Sequence, residues 1–148
     1  MLQVARENLR ALGLSNVELR QGRVDHLPLA SDEADATVAN MVLHHAPDPQ
    51  QMVAEMVRVT RPGGRVVIMD LASHTHEWFR VEMADVWLGF TEPQVRQYLQ
   101  AAGLTEIELG WVGTQCCAKS AMSVDVAGNP LTTDVAIFWV AGTKPGRC

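Results

Sequence analysis

Apolar residues recur at helical spacing in three segments of the chain. Residues 1–12 carry an apolar stripe that stops before Gly13, which predicts an amphipathic helix. Residues 48–51 (Asp-Pro-Gln-Gln) form a helix start, because the aspartate can cap the first turn and proline fits it. Residues 91–94 (Thr-Glu-Pro-Gln) form a capping box for a helix that ends at Gly103. The aromatic-rich residues 76–88 are also expected to be helical.

Shorter segments have the patterns of β-strands. Residues 16–21 alternate in polarity, and the near-continuous apolar run 35–42 is typical of a strand buried on both faces. The remaining predicted strands are 65–71, 105–109 and 134–141. The sequence Arg-Pro-Gly-Gly at 61–64 predicts a tight turn. Residues 113–133 show no clear period, so they are interpreted as an irregular insertion.

Strands that alternate with helices favour a mostly parallel sheet with helices on both faces, an α/β fold. Ligands bind such sheets at the carboxyl ends of the strands. The loops that follow three of the predicted strands, residues 22–28, 40–47 and 70–76, are therefore the candidate site.

Composition narrows the class of protein. The chain has 148 residues, which is one domain by length, and its net charge of −5 argues against a nucleic-acid partner. It contains no apolar run long enough to span a membrane and no signal-peptide pattern at its N-terminus. We therefore expect a cytoplasmic location.

The three cysteines, Cys116, Cys117 and Cys148, match no zinc signature and no disulfide framework. Incidental reduced thiols are one interpretation. A site for a thiol-reactive or arsenical ligand is the alternative.

Three motifs together resemble the class I S-adenosylmethionine-dependent methyltransferases. They are residues 22–29 (Gly-Arg-Val-Asp-His-Leu-Pro-Leu), 40–49 (Asn-Met-Val-Leu-His-His-Ala-Pro-Asp-Pro) and 59–64 (Val-Thr-Arg-Pro-Gly-Gly). The resemblance covers about residues 1–110. Residues 76–78 and 86–90 look most like a bacterial branch that often follows a winged-helix repressor domain of the arsenic-sensing type.

The resemblance implies a Rossmann-like sheet of strand order 3-2-1-4-5-7-6, with strand 7 antiparallel. Strands 3, 4, 5, 6 and 7 correspond to residues 17–21, 36–42, 65–71, 105–109 and 134–141. The first two strands are lacking, together with the glycine-rich loop and the acidic residue that hold the cofactor. Residues 1–148 are thus expected to be the C-terminal portion of a methyltransferase domain. Without those strands, the chain rearranges, pairs with another copy as a homo-oligomer, or needs a missing N-terminal segment.

The resemblance implies S-adenosyl-L-methionine as cofactor, held by Gly22, Arg23, Val24, Asp25, Asn40 and Met41. Arg23 stands where the family often has an acidic residue, and it cannot accept a hydrogen bond. Asp25 is either a substitute acceptor or a solvated loop carboxylate. Asn40 is expected to be buried and to need a partner, which is either the cofactor or its own loop.

His45 is the candidate general base, because an imidazole titrates near neutrality. The candidate acceptor-binding residues are His44, Asp70, Trp78 and Trp87. The alternatives are loop packing for the histidines, a turn cap for Asp70, and a helical core for the tryptophans. No metal is expected, since adjacent histidines rarely ligate one ion together.

The first functional hypothesis is in-line transfer of a methyl group from S-adenosylmethionine to a small-molecule acceptor, as part of a longer chain. The resemblance supplies this hypothesis, because periodicity alone indicates only an α/β nucleotide-site fold. The alternative is a non-catalytic ligand-sensing or partner-binding module of a transcriptional regulator.

Overall fold

A computed structural model describes residues 2–146; Met1 and Cys148, both considered above, lie outside the described residues. The helices are α1 (Leu2–Ala11), α2 (Pro49–Val59), α3 (Trp78–Glu82) and α4 (Glu92–Ala101), with a 3₁₀ helix at Leu43–His45. The strands are β1 (Ala34–Asn40), β2 (Thr60–Leu71), β3 (Thr105–Val124) and β4 (Pro130–Thr143).

The four strands form one open sheet of order β1-β2-β4-β3. β1 and β2 are parallel, whereas β4 runs antiparallel to both β2 and β3. This is the order predicted for strands 4, 5, 7 and 6, including the antiparallel seventh strand. The Rossmann-like α/β fold is therefore confirmed, with strands 4, 5, 7 and 6 present among the described residues.

The main core lies between the sheet and the pair α2 and α4. Val53 from α2 and Leu99 from α4 are fully buried against Val66, Ile68 and Val140 of the sheet. Burying a side chain of this size contributes about 1.5–3 kcal/mol, so this layer carries much of the stability.

Both predicted helix starts are confirmed. The Asp48 carboxylate accepts a hydrogen bond from the Gln51 amide at 3.0 Å, and Pro49 occupies the first helical position. Thr91 and Gln94 form the capping box at the start of α4. These caps fix where α2 and α4 enter the core, because they satisfy amide groups that the first turn leaves unpaired.

The predicted strand at residues 16–21 does not form, and this prediction is wrong. A strand needs a neighbour that pairs with its backbone, and residues 2–146 place none beside this segment. The predicted burial of residues 35–42 on both faces is also wrong for β1. Ala39 is its only buried residue, and Val38 is 64% exposed.

Residues 113–133 are not an irregular insertion, because they form most of a long hairpin between β3 and β4. The pairing continues to Val124 opposite Pro130, with three register shifts along the way. These shifts break the alternation of polarity that would have revealed the strands. In the connecting turn the Asp125 carboxylate accepts hydrogen bonds from the amides of Ala127 and Asn129.

The predicted turn at residues 61–64 is a bulge inside β2. Thr60 pairs with Ala34 and Arg65 pairs with Ala36, so the residues between them loop outward. A Cβ at Gly64 would lie 2.6 Å from the Asp35 carbonyl oxygen, which explains the glycine there.

The predicted helix at residues 76–88 is reduced to α3, Trp78–Glu82. The chain leaves the helix at Met83 and turns through Ala84, whose φ is 59°. Among residues 2–146, no helix has the length and apolar character that crossing a bilayer requires.

Candidate functional site

A buried histidine–aspartate pair lies at the carboxyl edge of the two parallel strands. Asp70 comes near the end of β2, and His44 lies in the 3₁₀ helix that follows β1. His44 Nδ1 is 2.7 Å from Asp70 Oδ1, and the Leu43 amide donates to Asp70 Oδ2 at 2.8 Å. Both residues are buried, so Asp70 orients His44 and ties the loop to β2.

A second carboxylate, Asp85, faces the two histidines from the loop after α3. Its Oδ1 lies 3.8 Å from His44 Nε2 and 3.8 Å from His45 Nδ1. Asp85 is 6% exposed, whereas the His45 side chain is 44% exposed. The structure thus unites His44, His45 and Asp70 as expected and adds Asp85, which the sequence analysis missed. The sequence offered little signal, because Asp85 is one of three acidic residues in the aromatic-rich segment 76–88.

Burial and neighbouring charges act on these groups in opposite directions. Burial lowers the pKa of His44, but the hydrogen bond and charge of Asp70 and the charge of Asp85 together raise that pKa above its usual value. Burial raises the pKa of Asp85, against the lowering influence of His44 and His45. The cluster can therefore hold or accept a proton beside a bound molecule.

The two candidate tryptophans have different surroundings. The indole nitrogen of Trp87 donates to the Ala46 carbonyl at 2.9 Å, and the Trp87 amide donates to the His44 carbonyl at 3.0 Å. Trp87 therefore holds the Asp85 loop against the 3₁₀ helix. Trp78 is buried in a separate apolar cluster with Phe79, 4.5 Å between ring centroids. Its position agrees with the helical-core alternative.

Two of the candidate cofactor residues line one cavity of about 310 Å³ at the open edge of β1. They are Val24 and Asn40, and the apolar wall includes Val38 and Met52. Asn40 is exposed, so its predicted burial is wrong. Asn40 is the last residue of β1 and is paired with Met69 on one side, but no strand among the described residues covers the other side of β1.

The other loop candidates lie outside this cavity. Arg23 and Asp25 form a two-pronged ion pair, with Arg23 Nε and Nη2 at 2.8 and 2.7 Å from the two Asp25 oxygens. The hydrogen bonds from Arg23 hold the pKa of Asp25 below its usual value. Gly22 lines a depression beside α1, and a Cβ there would lie 2.4 Å from Pro28 Cδ.

Met41 lies at the turn where β1 ends. Its φ is 54°, a left-handed conformation that costs a methionine about 1–3 kcal/mol. Its amide donates to the Met69 carbonyl at 2.9 Å, which continues the pairing with β2 past the strand end. Strain of this kind is often found at ligand sites.

The fit of these residues to S-adenosylmethionine is partial. The cavity is at the lower limit of ligand pockets, which measure about 300–1,000 Å³. Its walls are mainly apolar and suit one side of an adenine ring. None of the described residues that line it carries a carboxylate to accept hydrogen bonds from ribose hydroxyls. The described residues therefore fit only part of the cofactor.

The adjacent cysteines do not form a joint thiol site. Cys116 is opposite Val135 and Cys117 is opposite Asp134 in the hairpin, so their side chains point to opposite faces. Burial raises the pKa of Cys116, and a hydrogen bond with Asp134 raises that of Cys117. Raised thiol pKa values agree with incidental reduced cysteines.

Comparison with known proteins matches residues 1–68 to the methyltransferase domain family. The demethylmenaquinone methyltransferase of Desulfitobacterium hafniense is 32% identical over 160 residues, which cover 98% of this chain and 60% of that protein. The arsenite methyltransferase of Halobacterium salinarum is 41% identical over 71 residues, 48% of this chain and 18% of that protein. The chain thus spans less than two thirds of these relatives.

Solved structures agree in fold. The YcgJ protein from Bacillus subtilis superposes with a TM-score of 0.77 at 15% identity, and the superposition covers 99% of this chain and 79% of that one. Phosphoethanolamine N-methyltransferase 2 of Haemonchus contortus, solved with S-adenosyl-L-methionine, has a TM-score of 0.71 at 14% identity and covers 98% of this chain and 41% of that one. The match of residues 1–68 and the order of the sheet together support a class I S-adenosylmethionine-dependent methyltransferase.

Proposed function

We propose that this chain takes part in methyl transfer from S-adenosylmethionine to a small-molecule acceptor, as the C-terminal portion of a longer methyltransferase domain. The observation that carries the proposal is the polar cluster of His44, His45, Asp70 and Asp85 at the carboxyl edge of β1 and β2. Parallel α/β sheets bind their ligands at this edge.

Three observations support the proposal that an additional segment completes the sheet and the cofactor site. One edge of β1 pairs with no strand among the described residues, and the cavity beside it fits only part of the cofactor. The chain also spans 60% of the D. hafniense relative. Two added strands would cover the β1 edge and bring the glycine-rich loop and acidic residue that the family resemblance implies.

We assign the residues of this chain as follows. Val24 and the β1 end at Asn40 and Met41 would contact the cofactor, which supplies an electrophilic methyl group when bound. His45 is the accessible imidazole of the cluster, so it would take a proton from the acceptor. His44 and Asp70 would position that imidazole, and Trp87 would fix the loop that carries Asp85.

The acceptor class follows from the relatives, which are named for arsenite and for demethylmenaquinone. We infer a small-molecule acceptor that presents a nucleophilic atom to the sulfonium methyl group. Methyl transfer depends mainly on aligning that nucleophile with the sulfonium, which binding geometry supplies. The cytoplasmic location, the winged-helix fusion and the homo-oligomer stay predictions.

The test is an activity assay on a chimaera. The segment that precedes the matched region in the D. hafniense relative is joined to residues 1–148, and formation of S-adenosylhomocysteine is measured with a reduced quinone and with arsenite. We expect turnover that falls about 10²–10⁴-fold in H45N if His45 is the general base. H26N is the control, because His26 is exposed and lies outside the cluster.

A folded chimaera that forms no product with either acceptor would count against methyl transfer. Equal activity of H45N and H26N would remove the general-base role but leave methyl transfer intact. A non-catalytic module is not favoured, because the relatives named above are methyltransferases and the polar cluster lies at the expected edge.

A further inference from the structure

We propose that His44, His45 and Asp85 bind one divalent transition-metal ion, of the class that prefers imidazole nitrogen with carboxylate oxygen, such as Zn²⁺. One ligand atom from each residue lies within 4.8 Å of the other two. The proposal concerns ion binding and does not depend on methyl transfer; with the ion bound, His45 would be a metal ligand and not the general base. It revises the expectation from sequence that adjacent histidines ligate no ion.

The distances suit an ion between the three side chains. His44 Nε2 and His45 Nδ1 each lie 3.8 Å from the same oxygen of Asp85, which is too long for a hydrogen bond. Two ligand atoms on a tetrahedral zinc ion lie about 3.3 Å apart, since zinc–nitrogen and zinc–oxygen bonds are each about 2.0–2.2 Å. A contraction of about half an ångström would bring each histidine nitrogen to this separation from the Asp85 oxygen.

Asp85 provides an independent sign of a ligand. The residue is only 6% exposed, yet no described residue donates a hydrogen bond to its carboxylate. Charges that are largely withdrawn from water are usually paired or bound to a metal. The two imidazoles that face Asp85 are the neighbours through which an ion would neutralise its charge.

The hydrogen bond between His44 Nδ1 and Asp70 leaves the other ring nitrogen of His44, Nε2, free to bind an ion. A neutral His44 that donates from Nδ1 to Asp70 presents the lone pair of Nε2 toward Asp85. A lone pair and a carboxylate that face each other need positive charge between them, from a metal ion or from a proton. A carboxylate behind the ligating histidine is the usual arrangement at protein metal sites.

His45 completes the set because the 3₁₀ helix brings the two rings together. Their centroids are 4.1 Å apart, and the rings are inclined at 49°. His45 Nδ1 also lies 3.2 Å from the Ala84 carbonyl oxygen, so metal binding would exchange this hydrogen bond for a metal bond. Three protein ligands leave one position of a tetrahedral ion open to water or to an acceptor.

The experiment is a calorimetric titration of the tag-free 148-residue protein with zinc chloride. The variants are H45N and D85N, and the control is H26N, which removes an exposed histidine outside the cluster. Circular dichroism verifies folding, and H45N keeps the test valid if D85N fails to fold, because His45 is partly exposed. Melting temperatures are recorded with and without zinc.

We expect one equivalent of zinc to bind the unmodified protein and H26N, with affinity at least about 10-fold weaker in H45N and D85N. Zinc should raise the melting temperature of the unmodified protein and of H26N only. Equal zinc affinity in the unmodified protein, H45N and D85N would overturn the proposal. Absence of binding to the unmodified protein would also overturn it and leave a proton as the source of positive charge.

Discussion

Helices α1 and α2 have similar length and similar amphipathic patterns, but their environments differ. Seven of the eleven residues of α2 are buried, whereas α1 buries none of its ten. α2 lies against the sheet and α4, and its apolar stripe fills the main core. The apolar stripe of α1 is only partly covered by other residues, and Leu12, which follows the last residue of the helix, is 72% exposed. An amphipathic pattern therefore identifies a face, and a covering element decides whether that face is buried.

Strands β1 and β2 differ in the same way. β2 has a neighbour on each side, and Val66 and Ile68 are fully buried. β1 has one neighbour among the described residues, and Val38 is 64% exposed. The packed core thus lies between the sheet and α2 and α4, with the polar cluster at one end of it, whereas α1 buries none of its residues.

The largest effect is expected at the buried Asp70. Asp70→Ala removes the partner of His44 and of the Leu43 amide, so unfolding free energy should fall by about 3–5 kcal/mol. Urea denaturation measures the change. Asp35→Ala is the matched control, because the side chain of Asp35 is 87% exposed, and it should change stability little. Equal effects of the two substitutions would show that the cluster does not anchor the strand ends.

A pair of leucine substitutions compares the two regions directly. Leu99→Ala, in the core beneath α4, should lower the unfolding free energy by about 2–5 kcal/mol. Leu12→Ala, after α1, should stay within about 0.5 kcal/mol. Urea denaturation measures the change in unfolding free energy for both variants. A large loss for Leu12→Ala would mean that the α1 region is packed in solution.

The α2 cap should contribute a smaller amount. Asp48→Ala removes the acceptor of the Gln51 amide, and unfolding free energy should fall by about 0.5–2 kcal/mol. Gln50→Ala, at an exposed position one residue inside the helix, is the control. If the two variants are equally stable by urea denaturation, the cap does not stabilise α2.

The smallest predicted effect is a pH dependence from His44. Its folded pKa is raised above 6.5, so its contribution to stability is complete below that pH and is lost as pH rises through the folded value. The unfolding free energy should therefore fall as pH increases above about 6.5. NMR of the His44 ring gives the pKa itself. A value below that of an unfolded histidine would contradict the expectation.

Local signals predicted part of the fold well. The capping sequences at Asp48 and Thr91 located two helix starts, because caps act within one turn. The order of the four strands followed from the family resemblance. These features depend on neighbouring residues or on motif order, both of which the sequence contains.

Other features depend on contacts between distant residues. Residues 16–21 have a strand pattern but no paired neighbour, and the register shifts of the β3–β4 hairpin hide its alternation. Asp85 faces His44 only because the loop after α3 turns back over the 3₁₀ helix. No local pattern could place that carboxylate beside two histidines forty residues earlier.

The most direct test of the account is calorimetric titration with S-adenosylhomocysteine of the 148-residue chain and of the chimaera that supplies the preceding strands. The account predicts binding to the chimaera and none to the chain alone, because the described residues fit only part of the cofactor. Micromolar binding by the chain alone would contradict the claim that further strands complete the site.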